Sequence, residues 1–145
     1  MSEHTELSPD PIDLDPGIAQ LISPLDTAMG LRITYADLDE VRASLPVSGN
    51  TQPFGYLHGG ASAVLTETLA SLACYLRVGP EQIGFGVDLH VTHHRKVSSG
   101  EIHGVATCIH KGRTMSTYEV VITDDSDHRI ATGRLTCAHR DAPGV

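Results

Sequence analysis

The sequence predicts an α+β domain in which an antiparallel sheet curls around one long helix. Three features carry that expectation: an Ala- and Leu-rich run over 59–77 whose only acid is Glu67, strand-like alternation before and after it, and short turn-rich joints in the second half. At 145 residues the chain suits one domain, expected over 17–145, with a core of real size.

Residues 1–16 hold Pro9, Pro11, Pro16 and several acids without apolar periodicity, which predicts a flexible arm. Over 17–28, Ile18, Leu21 and Ile22 suit a short amphipathic helix that Pro24 limits. From Met29 to Val47 the pattern is strand-like. Val41, Ala43, Leu45 and Val47 alternate with Glu40, Arg42, Ser44 and Pro46, the signature of a half-buried strand. Gly49, Asn50 and Pro53 then carry a loop.

A helix of about five turns is expected over 59–77, closed by Gly79-Pro80. Leu65, Leu69, Leu72 and Leu76 form one stripe that should pack on a sheet. Glu67 lies about 200 degrees around the helix from Leu65, among Gly60, Ala63, Val64, Ala70, Ser71 and Cys74, a small-residue side that leaves room for a ligand. Four strands follow, near 83–96, 101–111, 113–124 and 128–140, with Phe85, Val87, Leu89 and Val91 on one face of the first. The short joints at 98–100, 111–113 and 124–127 favour consecutive antiparallel hairpins.

A net charge of −8 and a pI near 5.4 argue against a broad nucleic-acid surface, which needs clustered Lys and Arg. The local group His93, His94, Arg95 and Lys96 can still hold a few phosphates. No apolar run approaches the roughly 20 residues of a membrane span, and no basic, apolar leader pattern opens the chain, so a soluble, cytoplasmic protein is expected. Cys74, Cys108 and Cys137, odd in number and widely spaced, read as free thiols. Nine histidines raise the question of a metal, but His90 and His94 would share a strand face that His93 does not, and no Asp or Cys completes a ligand spacing. No metal site is expected.

Glu67 admits two readings: a polar residue on the wet side of an amphipathic helix, or a carboxylate kept for chemistry. His58-Gly59-Gly60 admits two as well. Glycines at a helix start either make the turn or let a ligand reach unpaired N–H groups at the positive end of the helix dipole. Gln52 orients a carbonyl or a water, or is a solvated loop residue. Ser71, one turn after Glu67, either bonds the carboxylate or is small for packing. Together these residues place an acid, a hydroxyl, two hydrogen-bonding side chains and a helix N-terminus within about three turns of one another.

The segment QPFGYLHGGASAVLTET at 52–68 resembles hotdog-fold acyl-CoA thioesterases, whose QPFG-x-LHGGAS-x-x-L-x-E-(T/S) segment carries a catalytic Glu on the central helix. THHR at 92–95 and HKGR at 110–113 extend the likeness over most of 29–140. Within that class the chain is most similar to the 1,4-dihydroxy-2-naphthoyl-CoA thioesterases of menaquinone synthesis and the proofreading thioesterase of enterobactin synthesis. The resemblance implies a hotdog fold with a curled five-stranded sheet, protomers that join their sheets into dimers with active sites at the interface, and tetramers of these. It implies Glu67 as nucleophile or general base, Gln52 and His58 as positioners of thioester or water, Gly59 N–H as the oxyanion contact and Ser71 as a holder of water. His93, His94, Arg95, Gly112 and Arg113 become expected contacts to substrate and coenzyme A. The expected reaction is hydrolysis of an acyl-CoA thioester, aromatic in its acyl part, with no cofactor. A hotdog-fold dehydratase and a non-catalytic acyl-CoA-binding protein are the alternatives.

Overall fold

The computed structural model describes residues 16–144. The arm expected over 1–16 lies outside the described residues except for Pro16, which opens a helix. Two short helices stand where one was expected: α1, Pro16–Ala19, and α2, Pro24–Met29. Pro24 does not end the first so much as begin the second, because proline suits the first helical turn and Ser23 before it caps the helix. Ser23 and Asp26 form a reciprocal capping box, and Gly30 closes α2 in the left-handed region at φ 77°.

The strand-like stretch after it folds as a hairpin, β1 (Arg32–Ala36) and β2 (Glu40–Pro46). Asp37 makes its turn by accepting the N–H groups of Asp39 and Glu40, both at 2.8 Å. Val41, Ala43, Leu45 and Val47 are buried, as their alternation requires. Helix α3, Gly59–Val78, then runs through the middle of the domain, with Gly79 at its C-cap. Strands β3 (Gln82–His93), β4 (Glu101–Lys111), β5 (Met115–Asp124) and β6 (Arg129–Asp141) complete one antiparallel sheet.

The sheet has six strands, in the order β1-β2-β4-β5-β6-β3. The five-stranded expectation is therefore short by one, the brief β1 at the edge. A second correction concerns the joint at 98–100, which is no hairpin: β3 pairs with β6, and β4 lies between β2 and β5. The chain from His94 to Gly100 crosses from one side of the sheet to the other. On the way it bonds the loop before α3, with Leu57 N–H donating to the Val97 carbonyl at 2.7 Å and Val47 N–H to that of Gly100 at 2.9 Å. The other two joints are hairpins, between β4 and β5 and between β5 and β6.

Helix and sheet meet through Leu65, Leu69 and Leu72, all buried, with Leu76 partly so. Burial extends beyond that stripe. Thr66, Ala70 and Cys74 are fully buried too, so the helix is embraced on two sides rather than one. Gly133 of β6 admits this, since a β-carbon there would stand 2.2 Å from Thr66 Oγ1. The cysteines are free thiols. Cys74 and Cys137 adjoin each other in the core, where the Cys137 hydrogen bond draws the Cys74 thiol pKa down to about 6 and the same bond pushes that of Cys137 up.

Strand β3 is an edge, paired only through β6, and a bulge between Gly86 and Asp88 shifts its register. An extra residue exchanges the faces of everything beyond it. Gly84 and Gly86 pair with the buried His139 and Cys137 and face α3; past the bulge, Leu89, Val91 and His93 pair with the buried Leu135, Gly133 and Ala131. The single face expected for Phe85, Val87, Leu89 and Val91 is therefore divided. Phe85 shares its face with Ala138, and Phe85, Val87 and Leu89 are all exposed at the free edge.

Candidate active site

Glu67 projects from the middle of α3 against the start of β3. Ser71 Oγ, one turn on, donates to Glu67 Oε1 at 3.4 Å, and a β-carbon on Gly86 would come within 2.4 Å of the same oxygen. The carboxylate is thus flanked by a hydroxyl and by bare backbone. It borders a cavity of about 540 Å³ between α3, the first residues of β3 and the two N-terminal helices. The lining is mostly hydrocarbon, with Val64, Leu72 and Ile83 nearest in sequence to the acid. Ser71, Thr68 and Val64 keep the room expected beside Glu67, whereas Ala70 and Cys74 are packed away from it.

At the helix start, His58 is the N-cap and its Nδ1 accepts the Gly60 N–H at 2.8 Å. With Nδ1 accepting, Nε2–H is left to donate outward. The His58 carbonyl takes the Ala61 N–H at 2.9 Å. The Gly59 N–H, with no partner among the described residues, remains at the positive end of a 20-residue helix. Gly59 lies against His93, whose Nε2 would be 2.8 Å from a β-carbon built on it. Gln52 turns its side-chain oxygen onto the Phe54 N–H and keeps its amide NH₂ for other use.

Gln52, Gly59 and His93 border a second cavity of about 400 Å³, walled further by His94, Arg95 and Lys96, while His58 lines neither of the two. The crossing segment makes it: because β3 does not turn back into β4, residues 94–97 are carried across the loop before α3. Lys96 Nζ stands 4.8 Å from the Tyr56 ring centre, which holds that cation at the rim. His94 Nε2 bonds Thr132 Oγ1 at 2.9 Å. Within the chain the expected site residues divide between the two cavities, Glu67 and Ser71 at the first, Gln52 and Gly59 at the second. Glu67 and Gly59 are eight residues apart on one helix, roughly 12 Å at about 1.5 Å per residue.

The model of the thioesterase superfamily matches residues 54–131, more than half of the chain and all of this helix and its strands β3 to β5. The chain belongs to the thioesterase superfamily. Among curated relatives, the proofreading thioesterase EntH of Cronobacter turicensis is 41% identical over 121 residues, spanning 83% of this chain and 88% of its own length. EntH of Klebsiella pneumoniae is 42% identical over 111 residues, 76% of this chain and 81% of that one. Among solved structures, a thioesterase from Haemophilus influenzae superposes with a TM-score of 0.80 at 33% identity, over 84% of this chain and 87% of its own. A mutant thioesterase from Pseudomonas aeruginosa does so at 0.82 and 32% identity, over 92% and 100%. The hotdog fold expected from the sequence is the fold observed.

The remaining expected residues of this thioesterase fall elsewhere. Gly112 and Arg113 sit at the β4–β5 hairpin, where Gly112 N–H donates to the Met115 carbonyl at 2.7 Å. The register sets Met115 beside Ala138 and Phe85, whereas His93 pairs with Ala131 at the opposite end of the sheet. The fold of the chain therefore does not bring Gly112 and Arg113 to His93, His94 and Arg95. Among the described residues no group of three His, Cys, Asp or Glu side chains is placed to hold a metal ion, and no helix is long and apolar enough to cross a membrane. Two residues close to Glu67 or to its cavity escaped the sequence. Gly86 gave no signal, since its closeness to Glu67 depends on the bulge. Asp26 lines the first cavity and bonds Thr68, and the S-x-x-D pattern of a capping box at 23–26 was its available sign.

Proposed function

We propose that the protein hydrolyses an aromatic acyl-CoA thioester to the free acid and coenzyme A, with Glu67 acting on the thioester and each site shared between two protomers. The observation that carries this reading is Glu67 itself, on the wall of an apolar cavity large enough for a ring, with Ser71 and Gly86 defining where its oxygens stand. A hydroxylated ring of the dihydroxynaphthoyl or hydroxybenzoyl kind is the proposed acyl group, the former being the menaquinone-pathway type.

The free edge of β3 supports the shared site. Pairing β3 antiparallel with β3 of a second copy sets the Gly86 end of one strand beside the His93 end of the other. Glu67, at Gly86, then faces the partner subunit's Gly59, and the β4–β5 hairpin with Gly112 and Arg113 lies at the end where the partner subunit's Arg95 and Lys96 can share the phosphates of coenzyme A. Exposed Phe85, Val87 and Leu89 on an uncovered edge favour such pairing over solvent. Two such homodimers form the tetramer that the resemblance implies. Three free thiols favour a cytoplasmic setting.

In this arrangement the Gly59 N–H and the helix dipole meet the negative charge that develops on the carbonyl oxygen, a contribution of about 3 kcal/mol to the barrier for one such donor. His58 Nε2–H and the Gln52 amide donate to the carbonyl or to water. Glu67 attacks the carbonyl carbon and expels the thiolate, leaving a mixed anhydride for water to cleave, or it takes the proton of a water that attacks directly. Both routes end in acid and thiol without a cofactor. A panel of aromatic and aliphatic acyl-CoA esters assayed for free thiol, in wild type and Glu67→Ala, tests the reading. Rapid release from aromatic esters and its near loss in the variant are expected. Release from none would overturn hydrolysis, and release indifferent to the substitution would overturn the role of Glu67.

A further inference from the structure

We propose that Asp26, held in place by Ser23 and Thr68, is a specificity-determining residue that selects acyl groups carrying a hydroxyl donor. The inference rests on the reading that the cavity beside Glu67 receives the acyl group. Asp26 is a carboxylate only 2% exposed, in a cavity wall otherwise built largely from hydrocarbon such as Ile18, Ile22 and Leu25. A buried charge must be held by donors. Here Ser23 N–H and Ser23 Oγ donate to Oδ2 at 2.9 and 2.7 Å, and Thr68 Oγ1 donates to Oδ1 at 2.7 Å, tying α2 to α3 one residue past Glu67.

A carboxylate offers about four acceptor positions, so three donors leave one open, on the oxygen that Thr68 also touches. Thr68 has spent its only proton on Asp26, and Ser71 has spent its own on Glu67. Along this wall Asp26, Thr68 and Glu67 therefore present lone pairs and no proton. Tyr75 retains a hydroxyl donor, but it is 44% exposed. A ligand that fits such a wall brings its own O–H. A bare ring leaves the acceptor unpaired, while a methyl ether or a carboxylate sets lone pair against lone pair.

The test uses matched benzoyl-CoA esters that are unsubstituted, hydroxylated or methoxylated at each ring position, with kcat/KM measured on the full-length protein. At one ring position the wild type should favour the hydroxy ester over the parent by about tenfold, as befits a hydrogen bond to a charged acceptor, with the methoxy ester poorest. Asp26→Asn should remove most of that preference, bringing the hydroxy and parent esters to within about twofold of each other, whereas Thr68→Val, which frees a second acceptor position on Oδ1, should keep a hydroxyl preference. Ser23→Ala, which weakens the α2 cap and leaves Oδ1 alone, should keep the preference, and thermal melts of all three variants verify folding. Equal slowing of all three esters by Asp26→Asn, or no hydroxyl preference in the wild type, would overturn the inference. Absence of turnover on every ester would instead overturn the hydrolase reading, and this inference with it.

Discussion

Gly86 lies so close to Glu67 that a β-carbon built on it would stand 2.4 Å from Glu67 Oε1 and 3.1 Å from Leu135 Cδ1. The carboxylate end is flexible and can move aside, so Gly86→Ala should leave folding nearly intact while displacing the acid. A misplacement on the order of 1 Å can cost about a hundredfold in rate. We expect kcat/KM to fall by about that factor with a small change in Tm. An unaltered kcat/KM would show that the position of Glu67 does not matter to turnover.

The division of the site between two cavities gives a second prediction. Co-expressing Glu67→Ala and His58→Ala protomers with different tags should yield mixed dimers in which one of the two sites is whole. Random assembly would restore about a quarter of wild-type activity from two nearly inactive parents. Mixed dimers as inactive as their parents would mean that each site is built within one protomer.

Thr66 and Gly133 set the distance between α3 and β6. A β-carbon at Gly133 would meet not only Thr66 Oγ1 but also Cγ2 at 2.5 Å and Cβ at 2.9 Å, on a β-branched side chain whose hydroxyl is already bonded to the Ser62 carbonyl. Gly133→Ala should therefore destabilise the fold by about 1–3 kcal/mol in denaturant titration. Thr66→Ala on the same background should recover part of the loss. Full additivity of the two substitutions would remove the contact as the cause.

Asp125, in the β5–β6 turn, bonds His103 Nε2 at 2.7 Å and accepts the Glu101 N–H at 3.0 Å. The His103 hydrogen bond, followed by that of Glu101, holds its carboxyl below the ordinary carboxylate range. Because the folded value lies below the unfolded one, the stabilisation is complete above the ordinary range and is lost as pH falls through the folded value. With the Asp125 side chain 56% exposed, less than about 1 kcal/mol is expected. Melting curves should show Asp125→Asn slightly below wild type at neutral pH and the two converging in acid. A gap that widened on acidification would contradict the sign.

What the sequence determined by itself is local. The leucine spacing, the Gly59 start and the Gly79-Pro80 stop specify α3 without reference to anything distant, and the alternation at Val41–Val47 specifies β2, because helix and strand periods are written in consecutive residues. The motif around Glu67 likewise marked the acid, its Ser71 neighbour and the helix N-terminus. Tertiary structure decided what depends on partners far along the chain. Strand order moved β3 to β6 and so sent His94–Gly100 over the Gln52 loop, which no turn-rich triplet at 98–100 reveals. The bulge after Gly86 exchanged the faces of β3, since one unpaired residue reverses a period of two. The same packing closed α2 onto α3 through Asp26 and Thr68, 42 residues apart. Distances between residues on one helix are set by its pitch. Distances between elements are set by which surfaces exclude water together, and only the folded chain records that.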